Sequence, residues 1–351
     1  MRAARYYGPR ELRIEEVPEP GSPGATDLLV RVSMAAICGT DSSEWAHGPI
    51  LAQPPVTLGH EFTGTVVAVG AEVTSFRRGD RVVSGSGISC GQCAWCKEGR
   101  TNLCASYKTL GLHVDGGLAD LVVVPASVCV TVPEAISDVA AAMAQPFAVA
   151  LHGLRRAKVS AGRSVVVLGV GGIGGFLVAG AKARGARQVI AVDIDDEKLE
   201  LAEKLGATMT VNPLRQDPLA QVLEVTDGAG IQSVVEATGV GGNPSLAIAM
   251  AQKGGSVLML GLQSRPVEID LLAVSVRELD VLGTLAHVCE EDIPEALQVL
   301  SSSDLSALML DSVIGLEELL EQGIKPLAER RAKGKIVVDV AGRAAKRESR
   351  G

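Results

Sequence analysis

Over roughly the first 130 residues, apolar positions fall in short alternating or β-branched runs broken by Gly and Pro. Leu28-Leu29-Val30-Arg31-Val32, Gly64-Thr65-Val66-Val67-Ala68-Val69 and Leu121-Val122-Val123-Val124 are examples. That pattern predicts an antiparallel, barrel-like β region. From about 150 to 285 the texture changes. Short apolar strands at 164–168, 188–192, 233–236 and 256–260 alternate with stretches of helical periodicity at 196–205 and 244–252. Repeated strand–helix pairs predict a doubly wound parallel sheet, so the chain as a whole reads as α/β. Beyond about 287, residues 293–300 and 316–322 read as helices and 335–340 as a closing strand. The Arg/Lys/Ala-rich end that follows is expected to be loose.

Composition narrows the class. A chain of 351 residues predicts two domains, or one with a large insertion. With 47% hydrophobic and 21% charged residues it is a globular protein rather than a disordered one. Aromatics are only 3% and the net charge is −8, so neither base stacking nor attraction to a polyanion is expected, and no nucleic-acid partner is predicted. Glycine is in excess at 40 residues, which predicts many tight turns and close backbone approaches.

The opening Met-Arg-Ala-Ala-Arg-Tyr-Tyr has no apolar run after its basic residues, which argues against an export signal. The charge-free stretch 164–181 contains six glycines and reads as strand, turn and helix rather than a membrane span. The expectation is a cytoplasmic protein with reduced thiols and no membrane partner.

Seven cysteines in such a chain are ligands, catalysts or packing residues. Cys90, Cys93, Cys96 and Cys104, spaced C-x2-C-x2-C-x7-C among Gly85, Gly87, Gly91 and Gly99, lie in a loop with no core of its own. Four thiolates so close can close a tetrahedral shell around a structural zinc, and an iron–sulfur cluster is the other centre they can hold. Cys129 and Cys289 sit in apolar runs and read as packing.

Two further constellations stand out. Gly169-Val170-Gly171-Gly172-Ile173-Gly174 follows one predicted strand and opens a helix. In that setting the glycines permit a tight turn and let a pyrophosphate approach the helix N-terminus. Asp193 ends the next strand, where a carboxylate can bind ribose hydroxyls. No arginine directly follows it to take a 2′-phosphate, so NAD is favoured over NADP. The second constellation is Cys38-Gly39-Thr40-Asp41 with Gly59-His60-Glu61-Phe62-Thr63-Gly64. Cys38, His60 and Glu61 offer S, N and O ligands, enough to hold a zinc with an open fourth position.

With these motifs and Gly79-Asp80-Arg81-Val82 in order, the chain resembles the zinc-dependent medium-chain alcohol dehydrogenases over essentially its whole length. Within them it looks like the polyol (sorbitol), threonine and 2,3-butanediol branch. The resemblance implies a GroES-like β-rich catalytic domain over 1–150, completed by 287–351. A Rossmann NAD-binding domain over 151–286 would be inserted, with the active site in the cleft between the two.

The resemblance further implies a catalytic zinc on Cys38, His60 and Glu61 and a structural zinc on Cys90, Cys93, Cys96 and Cys104. Thr40 would contact the substrate hydroxyl. Asp193 and Lys198 would lie at the adenosine ribose, and Thr238, Leu260, Gly261 and Thr284 would complete the cofactor contacts. The implied assembly is a homo-oligomer, a tetramer or dimer.

Two departures from the family pattern bear on mechanism. Ser43 stands where the family places a proton-relay histidine, leaving Ser43, His47 or water as the route. Gln145 stands where a glutamate is common, and is expected within reach of the catalytic zinc directly or through one water. The expected reaction is reversible oxidation of a secondary alcohol (polyol, cyclitol, sugar or diol-like) with hydride transfer to NAD. An epimerase or lyase that retains NAD and a non-catalytic nucleotide-binding protein are the other classes considered.

Overall fold

The computed structural model describes residues 1–342; the Arg/Lys/Ala-rich end lies outside the described residues. The chain divides into two compact units, one formed by Met1–Ala148 with the segment from His287, the other by Val149–Ala286.

The first unit is organised around one long strand. β1 (Asp27–Ala36) pairs antiparallel along one side with β2 (Glu61–Val69), which in turn pairs with β3 (Arg81–Ser84). On its other side β1 is shared. Its first half pairs with β4 (Leu121–Pro125), while Met34–Ala36 pair with the strand Lys335–Asp339 from the far end of the chain. Alternation explains the packing. Leu28, Val30 and Val32 point into the core at 0–1% exposure beside Val66, Val82, Val122 and Val338, while Arg31 faces outward. The 316–322 stretch is a 3-10 turn (Leu316–Glu318) followed by a π-helical turn (Leu319–Ile324), not the regular helix its periodicity predicts. Gly323 packs against Ile37 and Ile314, so the helix tightens and then widens to fit the sheet.

The second unit is a six-stranded parallel sheet. Its strands are β5 (Ser164–Leu168), β6 (Gln188–Val192), β7 (Met209–Val211), β8 (Ile231–Glu236), β9 (Ala251–Met259) and β10 (Asp280–Gly283). They lie in the order β7-β6-β5-β8-β9-β10, so the order reverses between β5 and β8. Both faces are covered, which is why Val165, Val166, Val167 and Leu168 are all buried in an unbroken apolar run. β9 begins at Ala251, five residues before the apolar run at Ser256, and the preceding helix stops at Met250. The polar Gln252-Lys253-Gly254-Gly255 hides this start in the sequence, although Ala251 already pairs with Ile231.

Candidate functional site

The open donor cluster is a product of strand register. Ala36 at the end of β1 pairs with Glu61 at the start of β2. Cys38, just beyond one strand, and His60, just before the other, therefore leave the sheet at the same end. Gly59 makes the approach possible: its φ is +97°, and a Cβ there would come within 2.7 Å of Leu118. Cys38 is the N-cap of α1 (Gly39–His47), and Asp41 accepts the Cys38 backbone N–H at 2.9 Å, fixing the turn that carries the thiol. One ligand atom each from Cys38, His60 and Glu61 lie within 4.8 Å of one another.

The cluster is built for a cation. Glu61 and His60 are buried, at 1% and 6% exposure. Burial disfavours a charged imidazole, yet Asp41, the Cys38 thiol and Glu61 outweigh it and push His60 up to about 10. Asp41 is itself shifted upward by complete burial, partly offset by His60, whose Nδ1 lies 3.7 Å away. Lys335, reaching in from the distant strand, pairs with Glu61 and donates to the Ile37 carbonyl at 2.8 Å. Glu61 thus lies between the Cys38 and His60 donors on one side and the Lys335 ammonium on the other. S, N and O donors converging in a buried anionic pocket fit a divalent metal such as zinc.

Around this cluster, Thr40 places its Oγ1 3.6 Å from the Cys38 sulfur. Ser43 and His47 are exposed on α1, and with Thr40 they follow the three- and four-residue spacing of one helix face. Gln145 is buried at the start of α2 (Ala144–Arg156), and its Nε2 donates to Ser86 Oγ at 3.1 Å. That bond uses one of the amide's two N–H donors and leaves the amide oxygen as an acceptor.

The four-cysteine lobe forms around its own thiols. Its backbone is not a bare loop: a short helix (Ala94–Lys97) and a 3-10 turn (Thr101–Leu103) space the sulfurs. Sulfur pairs stand 3.6 Å apart for Cys93–Cys96 and 4.0 Å for Cys90–Cys96. A tetrahedral zinc with ~2.3 Å bonds to sulfur needs edges of ~3.8 Å, so the thiols are already at ligand spacing. The backbone N–H groups of Ala105 and Cys96 hold the Cys93 thiol down to about 6, as a thiolate ligand requires. Cys129 and Cys289 are buried free thiols, with burial pushing Cys289 up to about 12.

In the second unit the glycine turn lies at the carboxyl end of β5. Gly169 has φ +90°, and a Cβ on Gly174 would overlap the Gly169 carbonyl, so these positions demand glycine. Gly171, the N-cap of α3 (Gly172–Ala183), has open space where a Cβ would stand and offers no side-chain cap. That leaves a cradle of free N–H groups of the kind a pyrophosphate fills. Ile173 lies in the first turn of α3.

Asp193 accepts the Val170 N–H at 2.7 Å and the Asp195 N–H at 3.0 Å, which ties it to the glycine turn. Lys198 lies in the first turn of α4 (Asp196–Leu205). Arg215, a cation near this turn, is engaged by Asp196. Thr238 follows β8, Leu260 and Gly261 follow β9, and Thr284 follows β10, all at the same edge of the sheet. Sequence reasoning missed Lys335 and Ser86, whose partners lie far along the chain, and Glu236, which closes an apolar strand. Asp41 was legible in principle as an acidic residue at the third position of a helix.

A parallel sheet with a phosphate cradle and a β unit carrying two metal-type donor clusters define a nicotinamide-dependent, metal-binding dehydrogenase architecture. Family comparison agrees. Residues 24–134 match the alcohol dehydrogenase GroES-like domain, and residues 172–302 match the zinc-binding dehydrogenase domain. The chain is 32% identical over 307 residues to a sorbitol dehydrogenase of Bacillus subtilis strain 168, covering 86% of each chain.

Among solved structures, 2R,3R-butanediol dehydrogenase from Bacillus subtilis superposes with a TM-score of 0.88 at 30% identity, covering 97% of this chain and 99% of that one. A protein of Sinorhizobium meliloti 1021, described as a zinc-binding dehydrogenase and bound to NADP, gives 0.88 at 33% identity with the same coverage. The chain belongs to the zinc-dependent medium-chain alcohol dehydrogenases, in their polyol branch, and is an oxidoreductase. Among the described residues no helix is long and apolar enough to cross a membrane.

Proposed function

We propose that this protein reversibly oxidises a secondary alcohol of the polyol, cyclitol, sugar or diol type to a ketone, with NAD as hydride acceptor. The observation that carries the reading is the convergence of Cys38, His60 and Glu61 beside the Thr40 hydroxyl. When bound, zinc supplies Lewis acidity toward the substrate hydroxyl oxygen and the nicotinamide accepts the hydride.

The chain's own residues do the rest. Cys38, His60 and Glu61 hold the catalytic metal, and Gln145 joins them directly or through one water. Cys90, Cys93, Cys96 and Cys104 hold a second zinc, giving two per chain. Thr40 takes the substrate's hydroxyl proton and passes it outward along the α1 face by Ser43, His47 or water. On the cofactor side, Gly169, Gly171, Gly172, Ile173 and Gly174 seat the pyrophosphate, and Asp193 and Lys198 the adenosine ribose. Thr238, Leu260, Gly261 and Thr284 line the nicotinamide side.

NAD is favoured because the Asp193 carboxylate repels a 2′-phosphate and Asp196 already engages Arg215. The working domains are 1–150 with 287–351, and 151–286. A cytoplasmic homo-oligomer is the assembly we favour, supported by the exposed Leu271, Leu272 and Val276 near the open edge strand β10.

A panel of secondary alcohols assayed for NADH absorbance tests the reading. Turnover with net NADH is expected. Substrate conversion without net NADH would instead establish an epimerase or lyase that retains its cofactor. Equal catalytic efficiency with NADP would refute the cofactor assignment.

A further inference from the structure

Glu236 is a carboxylate with 0% exposure at the end of β8, beside the point where strand order reverses. It directly pairs with Leu168, the last residue before the glycine turn. A buried carboxylate there needs strong partners, and it has them. Its Oε1 accepts the Thr238 N–H at 2.8 Å, the Gly239 N–H at 3.2 Å and the Thr238 hydroxyl. Its Oε2 accepts the Gln263 Nε2 at 3.4 Å. One side chain therefore ties the loop after β8 to the loop after β9.

The space around it is closed by neighbours that only glycine permits. A Cβ at Gly261 would overlap the Gly239 nitrogen and come within 2.7 Å of Glu236 Oε2. On the other side Thr238 is pressed against the turn itself, because a Cβ at Gly169 would meet Thr238 Cγ2 at 2.6 Å. Thr238 is held from a third direction by Asn243, whose Nδ2 donates to its Oγ1 at 2.8 Å.

We propose that Glu236 is a positioning residue for the nicotinamide half of the dinucleotide, resting on the cofactor reading above. A doubly wound sheet of this order binds its two mononucleotide halves on either side of the switch point. Asp193, at the end of β6, marks the adenosine half. The loops after β8 and β9 belong to the other half, and Glu236 sets their separation and the height of Thr238 above the glycine turn.

A carboxylate suits this setting, because the Thr238 and Gly239 backbone N–H groups facing Oε1 can only donate. A carboxamide keeps one acceptor oxygen but loses the charge that strengthens all four bonds, and its NH2 cannot accept from Gln263 Nε2.

The test compares ADP with NADH, since ADP reports the adenosine half alone. In Glu236→Gln the dissociation constant for NADH, read by nucleotide fluorescence, should rise about tenfold or more. The dissociation constant for ADP, read by calorimetry, should stay within about twofold, because Asp193 and the pyrophosphate cradle are untouched. Equal weakening of both nucleotides, or no change in either, overturns the proposal. Should Glu236→Gln fail to fold, Gln263→Met removes only the donor from the second loop and carries the same comparison with a smaller NADH loss. Wild-type protein that binds neither nucleotide overturns the cofactor reading itself, an outcome distinct from the variant's.

Discussion

The two donor clusters of the first unit are built on opposite principles. The four sulfurs of Cys90, Cys93, Cys96 and Cys104 come from one short segment in which only Asn102 and Cys104 are buried. The cluster of Cys38, His60 and Glu61 sits at the end of a seven-stranded sheet, and its charge balance depends on Lys335, 274 residues from Glu61. The first cluster makes a structure out of its metal, whereas the second is a pocket that the sheet has already made. A metal at the lobe should contribute folding free energy. A metal at the open cluster should contribute chemistry and little stability.

The sharpest way to break this contrast is to remove one ligand from each. Cys93→Ser should lose one of two zincs per chain and, with it, on the order of 10 kcal/mol of metal-binding free energy that holds the lobe. Limited proteolysis should then cut between residues 90 and 104. Cys38→Ser should also lose one zinc and all measurable turnover, but keep the wild-type melting profile. A Cys93→Ser protein as protease-resistant as wild type, still holding two metals, would collapse the distinction.

The next effect separates chemistry from architecture within the open cluster. Thr40→Val keeps the shape and removes the hydroxyl near Cys38, so the turnover rate should fall about 10²–10⁴-fold while both metals remain. If His47 carries the proton onward, His47→Ala should displace the pH–rate profile. An unchanged profile assigns the path to Ser43 and water.

Lys335→Met probes how far the sheet, rather than the metal, maintains the pocket. Breaking a buried pair from one side leaves Glu61 uncompensated and should destabilise the metal-free protein by about 3–5 kcal/mol in chemical denaturation. Adding Glu61→Gln should restore part of that loss. A metal-free Lys335→Met protein as stable as its parent would mean the pair contributes nothing to the pocket.

The smallest expected effect is at Gln145. Gln145→Glu places a second carboxylate by the open cluster and should tighten zinc there by about tenfold, read in a chelator competition. The site becomes more anionic, so the apparent pKa for alcohol oxidation should rise. Zinc affinity and pH profile both identical to wild type would put Gln145 outside the metal's reach.

How much of this was legible from the chain depends on distance along it. Cys90 to Cys104 and Gly169 to Gly174 carry their meaning in local spacing, because tetrahedral closure and a phosphate turn are local geometries. Cys38, His60 and Glu61 were legible as a candidate donor set only together, since each alone reads as an ordinary thiol, histidine or surface charge. Lys335 was not, because nothing in Gly334-Lys335-Ile336-Val337 announces that Val337 pairs with Ala36. Glu236 was hidden for a related reason: it closes an apolar strand and reads as the polar end of it. Ser86 and Gln145 meet across 59 residues, a contact that no periodicity encodes. The π-helical turn at Leu319–Ile324 escaped because its apolar spacing is helical; the close approach of Gly323 to Ile37 appears only in three dimensions.

The sharing of β1 between Leu121–Pro125 and Lys335–Asp339 has a consequence for how the protein is born. A ribosome adds about 5–20 residues per second, so Lys335 emerges some 15–60 seconds after Ala36. The second unit, a continuous stretch, has every strand it needs once Ala286 has emerged, about 50 residues ahead of Lys335. The outer edge of β1 near Cys38 still waits for its neighbour, with Glu61 lacking its lysine. A nascent chain therefore exposes an unfinished sheet edge beside Cys38 and Glu61 until Lys335 has emerged. The pocket is completed only once Lys335 has emerged, and a chain stopped short of it carries a complete nucleotide fold beside an unfinished donor cluster.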